Sequence, residues 1–133
     1  MTNAIRDSFA RQTMMATLGA DLVELGAGTA RIDAPILDTS LQQHGYGHAA
    51  LTFAIGDSAA GYAALTTMGD SAEVLTAEMK INLLRPCAGD RLIARGRVIK
   101  PGKRLVVVQA SVHAVTDGIE KEIALLQGTM IPV

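Results

Sequence analysis

Gln42–Ala64, QQHGYGHAALTFAIGDSAAGYAA, is the stretch on which the fold of this chain turns. It opens as a polar, glycine-punctuated loop and runs directly into a long apolar segment whose one acid is Asp57. Small and apolar residues, among them Leu51, Phe53, Ile55, Ala59, Ala60 and Ala63, fall on every side of the spiral. A helix apolar all round belongs inside a protein. A carboxylate there costs on the order of several kcal/mol unless it is paired, hydrogen-bonded or protonated. Asp57 is therefore either a satisfied structural group or a working one, and the rest of the chain has to decide between them.

Outward from this helix, placed from about His48 to Thr67, the periodicities are those of strands. On the N-terminal side, Ala20–Glu24 and Gly28–Pro35 flank a Gly26-Ala27-Gly28 turn, preceded by one amphipathic helix from Asn3 to about Ala16 that stops at Gly19. On the C-terminal side, Val74–Leu84 alternates Leu75, Ala77, Met79, Ile81 and Leu83 against Thr76, Glu78, Lys80 and Asn82. Asp90–Lys100 sets Leu92, Ala94, Gly96 and Val98 against Arg91, Arg95 and Arg97. Arg104–Thr116 follows the Pro101-Gly102 turn, and Glu120–Ile131 follows Asp117-Gly118, a strong hairpin signal. Successive strands with short links are antiparallel, and an all-apolar helix has its place against the inner face of a curled sheet. The expected class is α+β, one sheet wrapped round one helix within a single domain spanning residues 1–133.

Composition narrows the function classes. A net charge of -1 leaves no electrostatic footprint for nucleic acid, and no basic run suits a membrane surface. Cys87 is the single cysteine, which excludes an internal disulfide, suits a reducing compartment and reads as a small buried residue. The N-terminus MTNAIRDSFARQTMM carries charges where a signal peptide needs an apolar run, so a cytoplasmic protein is expected. Only four residues are aromatic (two Tyr, two Phe, no Trp), so the core must be aliphatic and allow close helix–sheet approach. The high apolar fraction also points to subunit interfaces.

At the loop and helix the residues resemble the hotdog-fold acyl-CoA thioesterases, in the branch like the phenylacetic-acid-degradation thioesterase. That branch opens its central helix with Asn-x-x-Gly-x-x-His-Gly-Gly and carries an Asp nine residues after the His. Here Gln42 stands at the Asn position, Gly45 at the Gly, His48 at the His, and Asp57 at the matching spacing. Thr76 with Glu78-Met79-Lys80-Ile81-Asn82, then Leu84-Arg85-Pro86, Gly89-Asp90 and Lys100-Pro101-Gly102-Lys103, are similar to the strands that follow, so the likeness runs from about Leu37 to the end. Ala49-Ala50 replaces Gly-Gly but keeps the backbone N–H at residue 49. The resemblance implies a hotdog fold, acyl-CoA hydrolysis with water as co-substrate and no cofactor or metal. It also implies a homodimer paired into a homotetramer, with Thr76 supplied from the neighbouring subunit to orient water.

The residue chemistry fits this. Helix-terminal N–H groups at Ala49 and its neighbours are natural donors to an oxygen gaining negative charge. Asp57 can activate water or attack the carbonyl itself, and a thiolate leaves without a strong acid. His48 has two readings, a helix cap that holds the loop or a group that positions the thioester with Gln42. His44 reads as a loop hydrogen-bonder and His113 as structural. Arg85, Lys100, Lys103 and Arg104 are solvated turn charges and also the candidates for the coenzyme A phosphates. Met14, Met15, Leu51, Phe53 and Met68 can line an apolar pocket for a short, medium or aryl acyl chain. The rival readings are a non-catalytic acyl-CoA sensor, for which an unpaired acid serves no purpose, and a hydratase or dehydratase, whose His–acid pair is not matched here.

Overall fold

The structure is a computed structural model that describes residues 2–133. Its centre is α3 (Ala49–Leu65), capped by His48 and closed at Thr66. Before it come α1 (Thr2–Ala10), α2 (Thr13–Leu18), β1 (Asp21–Gly26), β2 (Thr29–Pro35) and a single 3-10 turn at Asp38–Ser40. After it come β3 (Val74–Leu83), β4 (Arg91–Pro101), β5 (Val106–Thr116) and β6 (Ile119–Pro132). All pairings are antiparallel, in the order β1-β2-β4-β5-β6-β3, and the sheet curls round α3. Among the described residues no helix is long and apolar enough to cross a membrane.

The aliphatic composition is what lets helix and sheet come so close. Ala59, Ala60, Ala63 and Ala64 are fully buried. Below them sits Gly96 of β4, where any Cβ would collide with the Ala59 carbonyl, so helix backbone meets sheet backbone directly. On β4 the expected alternation holds. Leu92 and Ala94 are buried under the helix, while on the outer face Arg95 pairs with Glu120 at 2.8 Å and Arg91 with Asp33 at 3.2 Å. Asp117 (φ 51°) and Gly118 (φ 77°) both take positive φ, as a two-residue hairpin matched to strand twist requires.

Three expectations need correction. The N-terminal helix is two helices, because Gln12 is extended and spends its side chain on Tyr62, donating from Nε2 to the phenol oxygen at 2.9 Å. Ser8 Oγ lies 3.1 Å from the same oxygen, so both short helices are tied to α3. Next, β3 does not lie beside β4; it pairs with β6 and forms the edge of the sheet, which makes the 84–90 connection a crossing rather than a tight turn. Finally, the strict alternation within β3 breaks at a bulge between Thr76 and Glu78, which leaves Ala77 without a pairing partner. Before the bulge the even residues face the helix and after it the odd ones do, so Leu75 is 57% exposed while Thr76 points at α3.

Candidate active site

The loop before α3 is held by its own polar groups. The Gln42 side-chain oxygen accepts from the backbone N–H of His44 at 2.6 Å and of Tyr46 at 3.2 Å, while its backbone N–H donates to the Tyr46 carbonyl at 2.8 Å. This use of the oxygen fixes the amide orientation and leaves Nε2 free to donate. Gly47 donates to the Cys87 carbonyl at 2.8 Å and lies so close to the thiol that a Cβ would clash with Sγ. His48 donates its backbone N–H to Ser40 and accepts at Nδ1 from Ala50 N–H at 2.8 Å. The imidazole is therefore the helix cap, with its proton on Nε2. The Ala49 amide has no acceptor among the described residues, as expected of an orphan donor at a helix N-terminus.

The Ala49 amide opens on a cleft of about 470 Å³, bordered by Gln42, His48 and Thr52 on one side and by Leu83–Cys87 on the other. Across His48 lies a second groove of about 300 Å³, lined by Met14, Leu18, Leu41, Leu51 and Ala54. Of the other residues expected in an apolar pocket, Met15 is in the core, Met68 packs against it and Phe53 is half-buried on α3.

Asp57 lies elsewhere. It is half-buried on α3 and accepts a 2.8 Å hydrogen bond from the Thr76 hydroxyl of the same chain. Met130 Sδ lies 3.3 Å from that hydroxyl, but the single proton goes to the carboxylate, the stronger acceptor. Burial pushes the Asp57 carboxyl above its ordinary range, and the Thr76 hydrogen bond opposes the rise. A raised carboxyl suits a general base. The pair faces a cavity of about 300 Å³ that reaches Ser8, Gln12, Tyr62, Val74 and Leu75. Eight residues separate Asp57 from Ala49, about 12 Å along the axis. Within one chain the Gln42–His48–Ala49 cluster and the Asp57–Thr76 pair are thus two separate constellations, too far apart to act on one carbonyl. The expectation that Thr76 joins Asp57 from another subunit is overturned by their direct bond.

Arg85 borders the 470 Å³ cleft and donates to the Glu122 carbonyl at 2.7 Å. Lys100, Lys103 and Arg104 lie at the β4–β5 hairpin, at the far end of α3, where Val98 N–H donates to Gly28, whose own N–H donates to Thr66. His113 shares a 3.1 Å hydrogen bond with Ser111 on the outer face of the sheet. Sequence reasoning gave no role to Thr52 of the cleft, while Cys87, read as a small buried residue, is buried there. Thr52 could have been found, since it stands three residues after Ala49 and so on its face of the helix. Ser40 Oγ and Thr52 Oγ1 are the two buried side-chain polar atoms without a partner among the described residues. Each such atom carries a cost of about 1–3 kcal/mol.

Residues 44–121 match the sequence profile of the Thioesterase superfamily. The crystal structure of a thioesterase family protein from Silicibacter pomeroyi is 43% identical, covers 97% of this chain and 95% of its own, and superposes with a TM-score of 0.95. The Saccharolobus solfataricus protein SSO1253, provisionally called an esterase, is 32% identical over 86% of this chain and 73% of its own length. The Escherichia coli PaaI protein from the phenylacetic acid degradation operon shares the fold at a TM-score of 0.83, with 24% identity over 96% of this chain and 88% of its own.

Proposed function

Because the chain belongs to the Thioesterase superfamily, with its hotdog fold and its chemistry of acyl-thioester hydrolysis, we propose that it hydrolyses acyl-CoA at sites shared between two copies. The observation that carries this is the distance between the two half-sites. Ala50, Phe53, Ala54, Asp57 and Ser58 form one helical stripe that the chain's own sheet leaves exposed or half-covered. Phe53 stands midway, four residues from Ala49 and four from Asp57. Antiparallel packing of two α3 helices about a twofold axis at Phe53 sets Ala49 of one copy beside Asp57 of the partner subunit. The same axis pairs the β3 edges, whose open N–H and C=O groups otherwise invite uncontrolled association.

In this arrangement the thioester oxygen rests on the Ala49 amide, with Gln42 Nε2 as a further donor. The partner's Asp57, oriented by Thr76, deprotonates water or attacks the carbonyl carbon. The acyl group enters the cavity beside Asp57, whose 300 Å³ suits a short, medium or aryl chain. The coenzyme leaves along the 470 Å³ cleft past Arg85, the one of the four expected cations that borders it. The purified protein should release free thiol from a panel of acyl-CoAs and scatter light as a dimer or tetramer. A monomer at micromolar concentration, or no thiol release from any member, overturns the reading.

A further inference from the structure

Ser40 and Thr52 flank the end of α3 from opposite sides, and both border cavities that touch His48. Only Thr52 shares a cleft with the Ala49 amide. It is 1% exposed, yet its hydroxyl makes no bond to the helix carbonyl one turn back, the usual recourse of a helical threonine. That carbonyl, of His48, is already taken by the N–H groups of Leu51 and Thr52. The hydroxyl's neighbour is the Cys87 thiol, whose ionised form a Thr52 hydrogen bond would favour, but with that sulfur protonated Oγ1 has no hydrogen-bond partner. Sulfur is a weak acceptor, so the hydroxyl keeps its proton for something else. Burial pushes the Cys87 thiol up, against the opposing pull of Thr52 and of the Gly47 amide, so it stays S–H and does not compete as a nucleophile.

Resting on the hydrolase reading above, we propose that Thr52 is a further catalytic residue, whose hydroxyl donates a hydrogen bond to the sulfur of the departing thiol. The placement follows from the helix. Thr52 lies three residues past Ala49, about 4.5 Å deeper along the axis, on the side where the cleft runs out past Leu84 and Arg85. With the carbonyl oxygen on the Ala49 amide, the coenzyme arm fills that side and its sulfur meets Thr52. In the reaction the partner's Asp57 takes a proton from water as the water oxygen bonds to the thioester carbon. The adduct re-forms its carbonyl by breaking the C–S bond, and the electron pair leaves on sulfur. Thr52 holds this thiolate without giving up its own proton, and the proton on Asp57 returns to sulfur. A group built to serve a charge that exists only late in the reaction stands unpartnered before it, which is what the structure shows.

The test uses the full-length oligomer and the acyl group that the acyl-CoA panel shows to turn over fastest, offered both as its CoA thioester and as its 4-nitrothiophenyl thioester. The aryl thiolate is stable by itself and needs no donor. Thr52→Val keeps the shape, and its Tm should equal or exceed that of the wild type because an unpartnered hydroxyl is removed. Its kcat on the CoA thioester should fall about tenfold, less than the loss of an oxyanion donor, and stay within about twofold on the aryl thioester. Thr52→Ser should restore most of the rate. An equal fall on both substrates marks Thr52 as structural and overturns the proposal, as does no fall on either. A wild type inactive on both thioesters sinks the hydrolase reading and this proposal with it, whereas an active wild type indifferent to Thr52→Val sinks this proposal alone. Should the valine variant not fold, Thr52→Ala carries the same comparison.

Discussion

The two flanks of α3 are written in nearly the same alphabet and do opposite things. On one flank Ile55, Ala59 and Ala63 are fully buried, pressed onto a sheet whose Gly96 lets the two backbones touch. On the other, Ala50, Phe53, Ala54, Asp57 and Ser58 are exposed or half-covered, with the β3 edge alongside. The first flank is complete within one chain. The second carries the helix's one acid on a stripe that its own chain leaves exposed or only half-covered. An all-apolar helix thus says only that every face is destined to be covered; it does not say by which molecule. The acid stands on the flank that its own chain leaves partly open.

The sharpest test of this contrast is Asp57→Asn. If the uncovered flank is the working one, kcat falls by about a hundredfold or more, as on removal of a general base, and the fold survives. Stability gives an independent check. The folded carboxyl holds its proton more tightly than the unfolded one, so Asp57's own contribution to stability is greatest below the ordinary carboxylate value and declines as pH rises through the raised one. Asp57→Asn lacks this decline, so its Tm advantage should widen with pH. Activity within a few-fold of wild type breaks the assignment.

A smaller effect, with more to say about geometry, comes from mixed oligomers. Co-refolded Asp57→Asn and Gln42→Ala subunits should form heterodimers in which one site carries both lesions and the other none, giving about half of wild-type activity. Asp57→Asn mixed with Thr76→Ala should give only the average of the parents, because the 2.8 Å bond puts both residues in one half-site. The reverse outcome, rescue by Thr76→Ala and none by Gln42→Ala, breaks the shared-site arrangement.

The mildest lesion is Thr76→Ala alone, expected to cost about tenfold, less than the roughly hundredfold or more of proton-transfer assistance itself, because Thr76 orients the base and moves no proton. Its signature is in the pH profile. The Thr76 hydrogen bond holds the carboxyl down against burial, so its loss lets the carboxyl rise further. A base must be ionised to act, and the acid limb of kcat/KM should therefore move to higher pH. An unmoved limb would show that Asp57 is not the group titrating there.

Local chemistry carried much of this protein in plain sight. The apolar run from Ala49 to Leu65, the Asp117-Gly118 turn, and the polar-outside alternation of Arg91–Val98 each follow from neighbours a few residues apart, and each is found as read. So does the ordered spacing of Gln42, His48 and Asp57. What the tertiary structure alone decided are long-range pairings. Gln12 ends a helix because Tyr62, fifty residues away, claims its amide. β3 takes β6 rather than β4 as its partner, and the bulge at Ala77 turns Thr76 from the solvent side toward Asp57. A strand's alternation fixes two faces but neither its partner nor the residue at which they exchange, since one slipped residue reverses the rest. Sequence spacing likewise placed Asp57 and Ala49 on one helix, but only the tertiary structure, by bringing Thr76 of β3 to Asp57, set the acid on a different cavity from the Ala49 amide.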